Sequence, residues 1–121
     1  MGITFLKVTV SNLANPKKSA THELLIDSGA IYSVLPAKLL RKLGIKPNST
    51  EEFMLANGET IKKRLGNALF ELDGKARAAP VIFGDEGVYL LGATTLEALG
   101  MMLDPINRKL KPLPMVLMAI A

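Results

Sequence analysis

The chain has 121 residues, a net charge of +4 and no cysteine, which excludes disulfides, thiolate nucleophiles and cysteine-based zinc sites. Its length predicts a single domain over residues 1–121, and its 49% hydrophobic content favours a folded domain over a disordered chain. Because no apolar run reaches the roughly 18 residues of a membrane span and the N-terminus lacks a secretory signal pattern, we expect a cytoplasmic protein with no membrane partner.

The N-terminal part of the chain predicts two strands and a short helix. The stretch "ITFLKVTVSNL" alternates apolar and polar residues as a strand does, and "NPKKSA" is rich in turn residues. The stretch "THELLIDSG" predicts a second strand that ends at Gly29. Pro36 suits the first position of a helix over "AKLLRKL", and Gly44 is placed to end that helix.

The middle of the chain predicts two hairpins. The stretch "EEFMLANGETIKKRLGNALFEL" contains Asn57-Gly58, a strong hairpin signal, and continues as a long strand. Asp73-Gly74 predicts a second hairpin that leads into a strand over "KARAAPVIF". The stretch "GDEG" predicts a further turn.

The C-terminal part predicts a strand, a second helix and a last strand. The stretch "VYLLGATTLEALG" passes through Gly92 into a short helix, with Thr94 or Thr95 as its N-cap and Gly100 at its end. The stretch "KLKPLPMVLMAIA" predicts a terminal strand that its prolines restrict to a sheet edge. The chain is therefore mostly strand. A weak similarity between "LLIDSGA" and "YLLGAT" suggests a compact barrel with two similar halves.

A carboxylate stands where the pattern of the second strand requires an apolar residue. Asp27 follows Leu24, Leu25 and Ile26, and the apolar stretch "AIYSVLP" begins directly after Gly29. An Asp-Ser-Gly triplet often forms an ordinary turn. Here, however, apolar residues flank the triplet on both sides, and an unpaired buried carboxylate is costly. The sequence therefore favours a functional role for Asp27.

The triplet Asp27-Ser28-Gly29 with Ala30 resembles the active-site signature of the retropepsin-like (retroviral-type) aspartic proteases. The stretch "YLLGATTLEALGMMLDP" is similar to the second hallmark of that family, in which two apolar residues and a glycine precede a short helix. The resemblance covers nearly all of the chain and is closest to cellular single-domain members found in microbes. It implies a mostly β fold, a closed β-barrel of the retropepsin-like acid protease type with one or two short helices, and a twofold homodimer.

The resemblance implies that Asp27, Ser28 and Gly29 are the catalytic residues. Because the chain carries one such aspartate and the reaction needs two, Asp27 of each protomer would meet its mate at the twofold axis. Two like charges about 3 Å apart repel by roughly 5 kcal/mol at an effective dielectric of about 20, so one proton stays on the pair. The ionised carboxylate would activate a water, and the protonated one would polarise the scissile carbonyl. No cofactor and no metal is implied.

The resemblance also implies roles for neighbouring residues. Ser28 would donate a hydrogen bond across the axis, and Gly29 would let the substrate backbone approach, although both suit an ordinary turn. The hairpin around "LANGET" would cover an extended peptide or unfolded protein substrate, although an ordinary hairpin explains it equally well. The predicted substrate-binding residues are Ala30, Val34, Ala56, Asn57, Gly58, Val88 and Leu90; for Val34, Val88 and Leu90, core packing is an equal alternative.

The chain departs from the viral pattern at two positions. Viral members often carry an acidic residue two places after the catalytic glycine and an arginine after the second glycine. Here these positions are Ile31 and Ala93, so that ionic brace is lost without leaving an unpaired charge. The apolar tail "PMVLMAIA" could form the interleaved sheet by which viral protomers associate.

Three functions from different classes fit the sequence. The first is an aspartic endopeptidase that prefers apolar residues around the scissile bond. The alternative is a non-catalytic dimeric peptide-binding module on the same fold. A nucleic-acid-binding barrel rests on the net charge alone; because the basic residues are scattered and 5% of residues are aromatic, we predict no nucleic-acid partner.

Overall fold

The computed structural model describes residues 3–104, 106–107 and 109–114. Within those residues the chain forms nine strands and two short helices. In chain order they are β1 (Phe5–Ser11), β2 (Ser19–Ile26), β3 (Ser33–Pro36), α1 (Ala37–Lys42), β4 (Ser49–Met54), β5 (Thr60–Leu72), β6 (Lys75–Gly84), β7 (Leu90–Leu91), α2 (Ala93–Ala98), β8 (Met101–Asp104) and β9 (Lys109–Pro112).

Seven of these strands form one sheet in the order β1-β2-β7-β3-β6-β5-β4, and β8 pairs with β9 in a second sheet. The hairpin partners are antiparallel, whereas β2 with β7 and β3 with β6 run parallel. Strand β1 pairs in addition with β5, where Val10 lies opposite Phe70. The chain of paired strands that starts at β1 therefore returns to β1 through β5, and β4 pairs with β5 outside that ring.

The core lies on the inner face of the large sheet. The alternating pattern of β1 buries Val8 and Val10, and β2 buries Leu24 and Ile26 on the same side. Phe70 on β5 is the largest fully buried side chain of the described residues. One cluster of apolar side chains includes all of these and residues of both helices, so the helices close the core and leave the ends of β2 and β7 side by side.

The prediction of a mostly β fold with two short helices is confirmed. Both predicted hairpins form, with Asn57-Gly58 between β4 and β5 and Asp73-Gly74 between β5 and β6. The sequence analysis missed β3 and β8, each of four residues. Such short strands carry too few alternations to be recognised, and their pairing partners define them instead.

Two predicted boundaries are wrong. The second strand ends at Ile26, not Gly29, because the amide of Ala30 bonds back to the carbonyl of Asp27 (3.2 Å) in a turn. Pro36 is not the first helical residue; it ends β3 opposite Gly84, with an extended ψ of 133°, and precedes α1.

The predicted N-cap of α2 is also wrong. Neither Thr94 nor Thr95 precedes this helix; the N-cap is Gly92, whose backbone is extended (φ −95°, ψ 176°). Thr95 lies inside the helix and is fully buried. Gly100 follows the helix, as predicted.

Two further findings concern the expected absence of a membrane span and the predicted C-terminal strand. Neither helix in the described residues has the length and apolar character needed to cross a bilayer. The terminal strand predicted over 109–121 is observed at Lys109–Pro112. The remainder of the apolar tail proposed for the dimer interface, residues 115–121, lies outside the described residues.

Candidate active site

Asp27 is the first residue beyond β2, at the point where β2 lies beside β7. Its amide donates to the carbonyl of Leu91 (3.0 Å), which continues the parallel ladder by one bond. Its side chain is half-buried, directly after the buried Ile26. The carboxylate therefore sits at the rim of the core, fixed at its backbone and open on one side.

The next residues turn tightly around that carboxylate. The amide of Gly29 donates to Asp27 Oδ1 (2.9 Å), which orients the acid. A Cβ atom at Gly29 would lie 3.2 Å from the same oxygen, so any larger residue here would crowd it. Ser28 is exposed beside the acid. The sequence-predicted catalytic triplet is thus brought together in one loop.

Residues 27–32, here called the carboxylate loop, are fixed from outside by α2. The amide of Ala93 donates to the carbonyl of Ala30 (2.7 Å), and the amide of Thr94 donates to the carbonyl of Ile31 (3.0 Å). The first amides of a helix lack partners within the helix. Here the carboxylate loop supplies those partners, which explains why α2 has no side-chain cap in the described structure.

A buried polar cluster joins the two halves of the site. Ser33 and Thr95 are both fully buried, and their hydroxyl oxygens lie 2.6 Å apart. Ser33 Oγ also accepts the amide of Gly92 (3.0 Å). Gly92 packs so closely that a Cβ there would lie 2.5 Å from the backbone of Tyr32. This cluster joins the residue after the carboxylate loop to α2 and to the glycine that precedes it.

A cavity of about 350 Å³, here called the groove, lies between the carboxylate loop and the β4–β5 hairpin. Residues of four segments line it: Gly29, Ala30, Ile31, Tyr32, Val34, Phe53, Met54, Leu55, Ile61, Lys63 and Ile82. Nearly all of these side chains are apolar. The groove begins at Gly29, whose amide holds the Asp27 carboxylate, so a molecule bound in it would lie next to that acid.

The structure brings some predicted substrate-binding residues to the groove and leaves others away from it. Those in the lining are Ala30 and Val34. Ala56, Asn57 and Gly58 form the exposed tip of the hairpin and do not line the groove. Val88 is exposed and Leu90 is half-buried on β7, and neither belongs to the lining.

The hairpin contributes groove residues that the sequence analysis missed. Phe53 on β4 lies opposite Ile61 on β5, and both side chains line the groove. The ring of Phe53 meets that of Tyr32 edge to face, with centroids 6.1 Å apart. The alternation of Ile61, Lys63 and Leu65 on a hairpin strand was the available signal, because residues two apart share a face.

The tip of the hairpin is closed by bonds among its own residues. The amide of Leu55 donates to the carbonyl of Glu59 (2.7 Å), and Gly58 donates back to Leu55 (3.0 Å). Asn57 Oδ1 accepts the amide of Glu59 (2.9 Å). Gly58 has φ +88°, a conformation that favours glycine.

A family model described as "Aspartyl protease" matches residues 7–103. No curated protein sequence matches the chain. Among solved structures, the chain is similar to EIAV protease in complex with the inhibitor HBY-793, at 18% identity with a TM-score of 0.60. That match covers 85% of this chain and 93% of the viral one.

Proposed function

This chain belongs to the aspartyl protease family and has the fold of a retroviral protease, and from that premise we propose that it is a homodimeric aspartic endopeptidase. The observation that carries the proposal is the half-buried Asp27, held by the amide of Gly29 at the mouth of an apolar groove. The substrate would be an extended peptide or an unfolded protein segment.

The proposed reaction uses Asp27 from two protomers. The two carboxylates would share one proton at the twofold axis, because two charges about 3 Å apart repel by roughly 5 kcal/mol. The ionised acid takes a proton from a water molecule, which attacks the scissile carbonyl carbon. The protonated acid donates its proton to the carbonyl oxygen. The tetrahedral intermediate then collapses: one of its hydroxyls gives a proton to the ionised acid as the carbonyl re-forms, the C–N bond breaks, and the amine leaves with the proton of the other acid, so that the pair again holds one proton.

The residues around Asp27 would support this chemistry in distinct ways. Gly29 orients one carboxylate oxygen through its amide and leaves room for a substrate backbone. Ser28 would bond across the axis to the partner subunit. The apolar lining of the groove supports a preference for apolar side chains around the scissile bond, since burying them there releases water.

A second depression supports the position of the dimer face. It has a volume of about 270 Å³, begins at Ser28 and runs along α2 and the β8–β9 sheet. Most of its lining is apolar: Ala93, Leu96, Met101, Met102, Leu103 and Leu113, with Glu97 as the charged member. A protomer packed on this face would bring its own Asp27 close to the first.

The strand pairings support the closed barrel of the proposed fold. Each strand from β1 through β2, β7, β3 and β6 to β5 pairs with the next, and β5 pairs with β1. A sheet that closes on itself has no free edge along that ring. Strand β4 would then stand outside the ring as the outer strand of the hairpin over the groove.

The proposal is tested by digestion of an unfolded protein at about pH 4 to 6. We expect cleavage by the unchanged chain and none by Asp27→Asn. The matched control is Asp73→Asn, the same change in an exposed turn with φ +51°, which asparagine adopts readily. We expect this control to cleave normally.

Two outcomes would overturn the proposal. If Asp27→Asn cleaved at the normal rate, Asp27 would not be the catalytic acid. If the unchanged chain bound extended peptides without cutting them, it would be the peptide-binding module. If the dimer dissociates at low protein concentration, we expect the activity to rise faster than linearly as the concentration increases.

A further inference from the structure

One charged side chain lines the groove among the described residues. Lys63 on β5 is the charged member of the lining among the described residues, and the others are apolar side chains, a tyrosine and a glycine. Its side chain is 28% exposed, so most of its length is covered by the hairpin and the groove wall. A cation in an apolar groove selects what can bind beside it, because an unpaired charge is costly where water is excluded.

Lys63 has an ion-pair partner within the chain, but that partner lies at the surface. Lys63 Nζ is 3.2 Å from Asp85 Oδ1, and the side chain of Asp85 is 83% exposed. Glu51 lies opposite Lys63 in the strand register and is also exposed. Ion pairs with so much exposure to water are weak. A carboxylate offered from inside the groove can therefore compete for the same ammonium group.

From these contacts we infer that Lys63 makes part of the groove a subsite for an acidic substrate side chain such as that of glutamate. The apolar walls formed by Phe53, Ile61 and Ile82 would cover the aliphatic stem. The carboxylate at the end of that stem would bind Lys63. This inference rests on the proposed function, because it assigns a substrate preference to the same groove.

The test compares peptides that differ at one position. Each peptide carries glutamate, glutamine, leucine or lysine at one place near the scissile bond. We expect one position at which glutamate raises kcat/KM over glutamine on the order of tenfold. Lys63→Met should bring this ratio close to one, Lys63→Arg should preserve it, and Lys63→Glu should reverse it in favour of lysine.

Two further variants serve as controls. Lys62 precedes Lys63 on the same strand, but it is exposed and does not line the groove, so Lys62→Met should leave the glutamate preference unchanged. Asp85→Asn removes the competing surface carboxylate and should increase the preference about two- to threefold. If the Lys63–Asp85 ion pair were merely structural, Lys63→Met and Asp85→Asn would change the glutamate preference in the same way.

The same peptides are also tested for binding to Asp27→Asn, which separates this inference from the proposed function. Tighter binding of the glutamate peptide, lost in the Asp27→Asn/Lys63→Met chain, supports the subsite even if no peptide is cleaved. Equal binding and equal cleavage of the glutamate, glutamine and leucine peptides would overturn the inference. Cleavage without that preference would leave the proposed protease intact.

Discussion

The carboxylate loop and the tip of the β4–β5 hairpin are held in opposite ways. The carboxylate loop is fixed from outside, by amides of α2 and by the buried Ser33–Thr95 pair. The tip of the β4–β5 hairpin is exposed, and its described hydrogen bonds join tip residues to one another. A small fold can in this way hold an acid firmly and still leave the approach to it open. The loop that carries the acid is held by several independent hydrogen bonds, whereas the exposed hairpin tip can move at low cost.

The largest expected effect comes from filling the space at Gly92. Its backbone is extended, so Gly92→Ala introduces no unusual φ, but the new Cβ would lie 2.5 Å from the backbone of Tyr32. We expect a loss of about 3 kcal/mol in the free energy of unfolding, at the upper end of overpacking effects. Urea denaturation measures it. A loss below about 0.5 kcal/mol would show that the carboxylate loop is not tightly fixed.

The next effect isolates the buried hydroxyl pair from packing. Thr95→Val keeps the shape of the side chain and leaves the hydroxyl of Ser33 without this partner, which should cost about 1 to 3 kcal/mol. The control is Thr21→Val, because Thr21 and Thr9 form a similar hydroxyl pair (2.8 Å) that is exposed. We expect that change to stay within about 0.5 kcal/mol. Thermal unfolding of both variants gives the difference, and equal losses would contradict the buried brace.

A smaller effect is expected at the hairpin tip. Gly58 has φ +88° and no atoms within 4 Å of a Cβ placed there, so Gly58→Ala costs backbone strain without a clash. We expect a loss of about 1 kcal/mol. Hydrogen exchange should show faster exchange at the Gly58 amide than at the amide of Thr94 in the unchanged chain. Slower exchange at the Gly58 amide would contradict the conclusion that the hairpin tip is held less firmly than the carboxylate loop.

The smallest effect concerns another turn that is closed locally. Asn107 Nδ2 donates to Asp104 Oδ2 (2.8 Å), and this bond is the main reason why the pKa of Asp104 lies below its ordinary value of 3.8. A lowered pKa stabilises the folded state at pH values above the ordinary one, and the gain is lost as the pH falls through the folded pKa. Asn107→Ala should raise the pKa of Asp104 towards 3.8.

An NMR titration of the Asp104 carboxyl carbon measures that change. The same variant should unfold at a slightly higher pH during acid titration, because the folded state has lost a hydrogen bond that stabilises the ionised Asp104 carboxylate. An unchanged titration curve would show that the side chain of Asn107 does not hold this carboxylate.

The sequence predicted the features that are encoded locally. The Asp27 triplet, the glycine before α2 and the two hairpin turns each depend on a few adjacent residues. The groove lining could not be predicted in full: alternation places Ile61 and Lys63 on one face of the hairpin, but the fold of the whole chain decides that this face turns towards the carboxylate loop. The Ser33–Thr95 pair was missed for a similar reason. Nothing in either local stretch indicates a partner 62 positions away.

That long separation affects how the protein is made. The amides that hold the carboxylate loop belong to α2, and β2 acquires its parallel neighbour when β7 is present. Contacts between such distant segments form late and slowly. During translation, the acid-bearing segment therefore leaves the ribosome long before the residues that fix it. A nascent polypeptide cannot fix the carboxylate loop until α2 has also been synthesised, which delays the assembly of this loop until folding is well advanced.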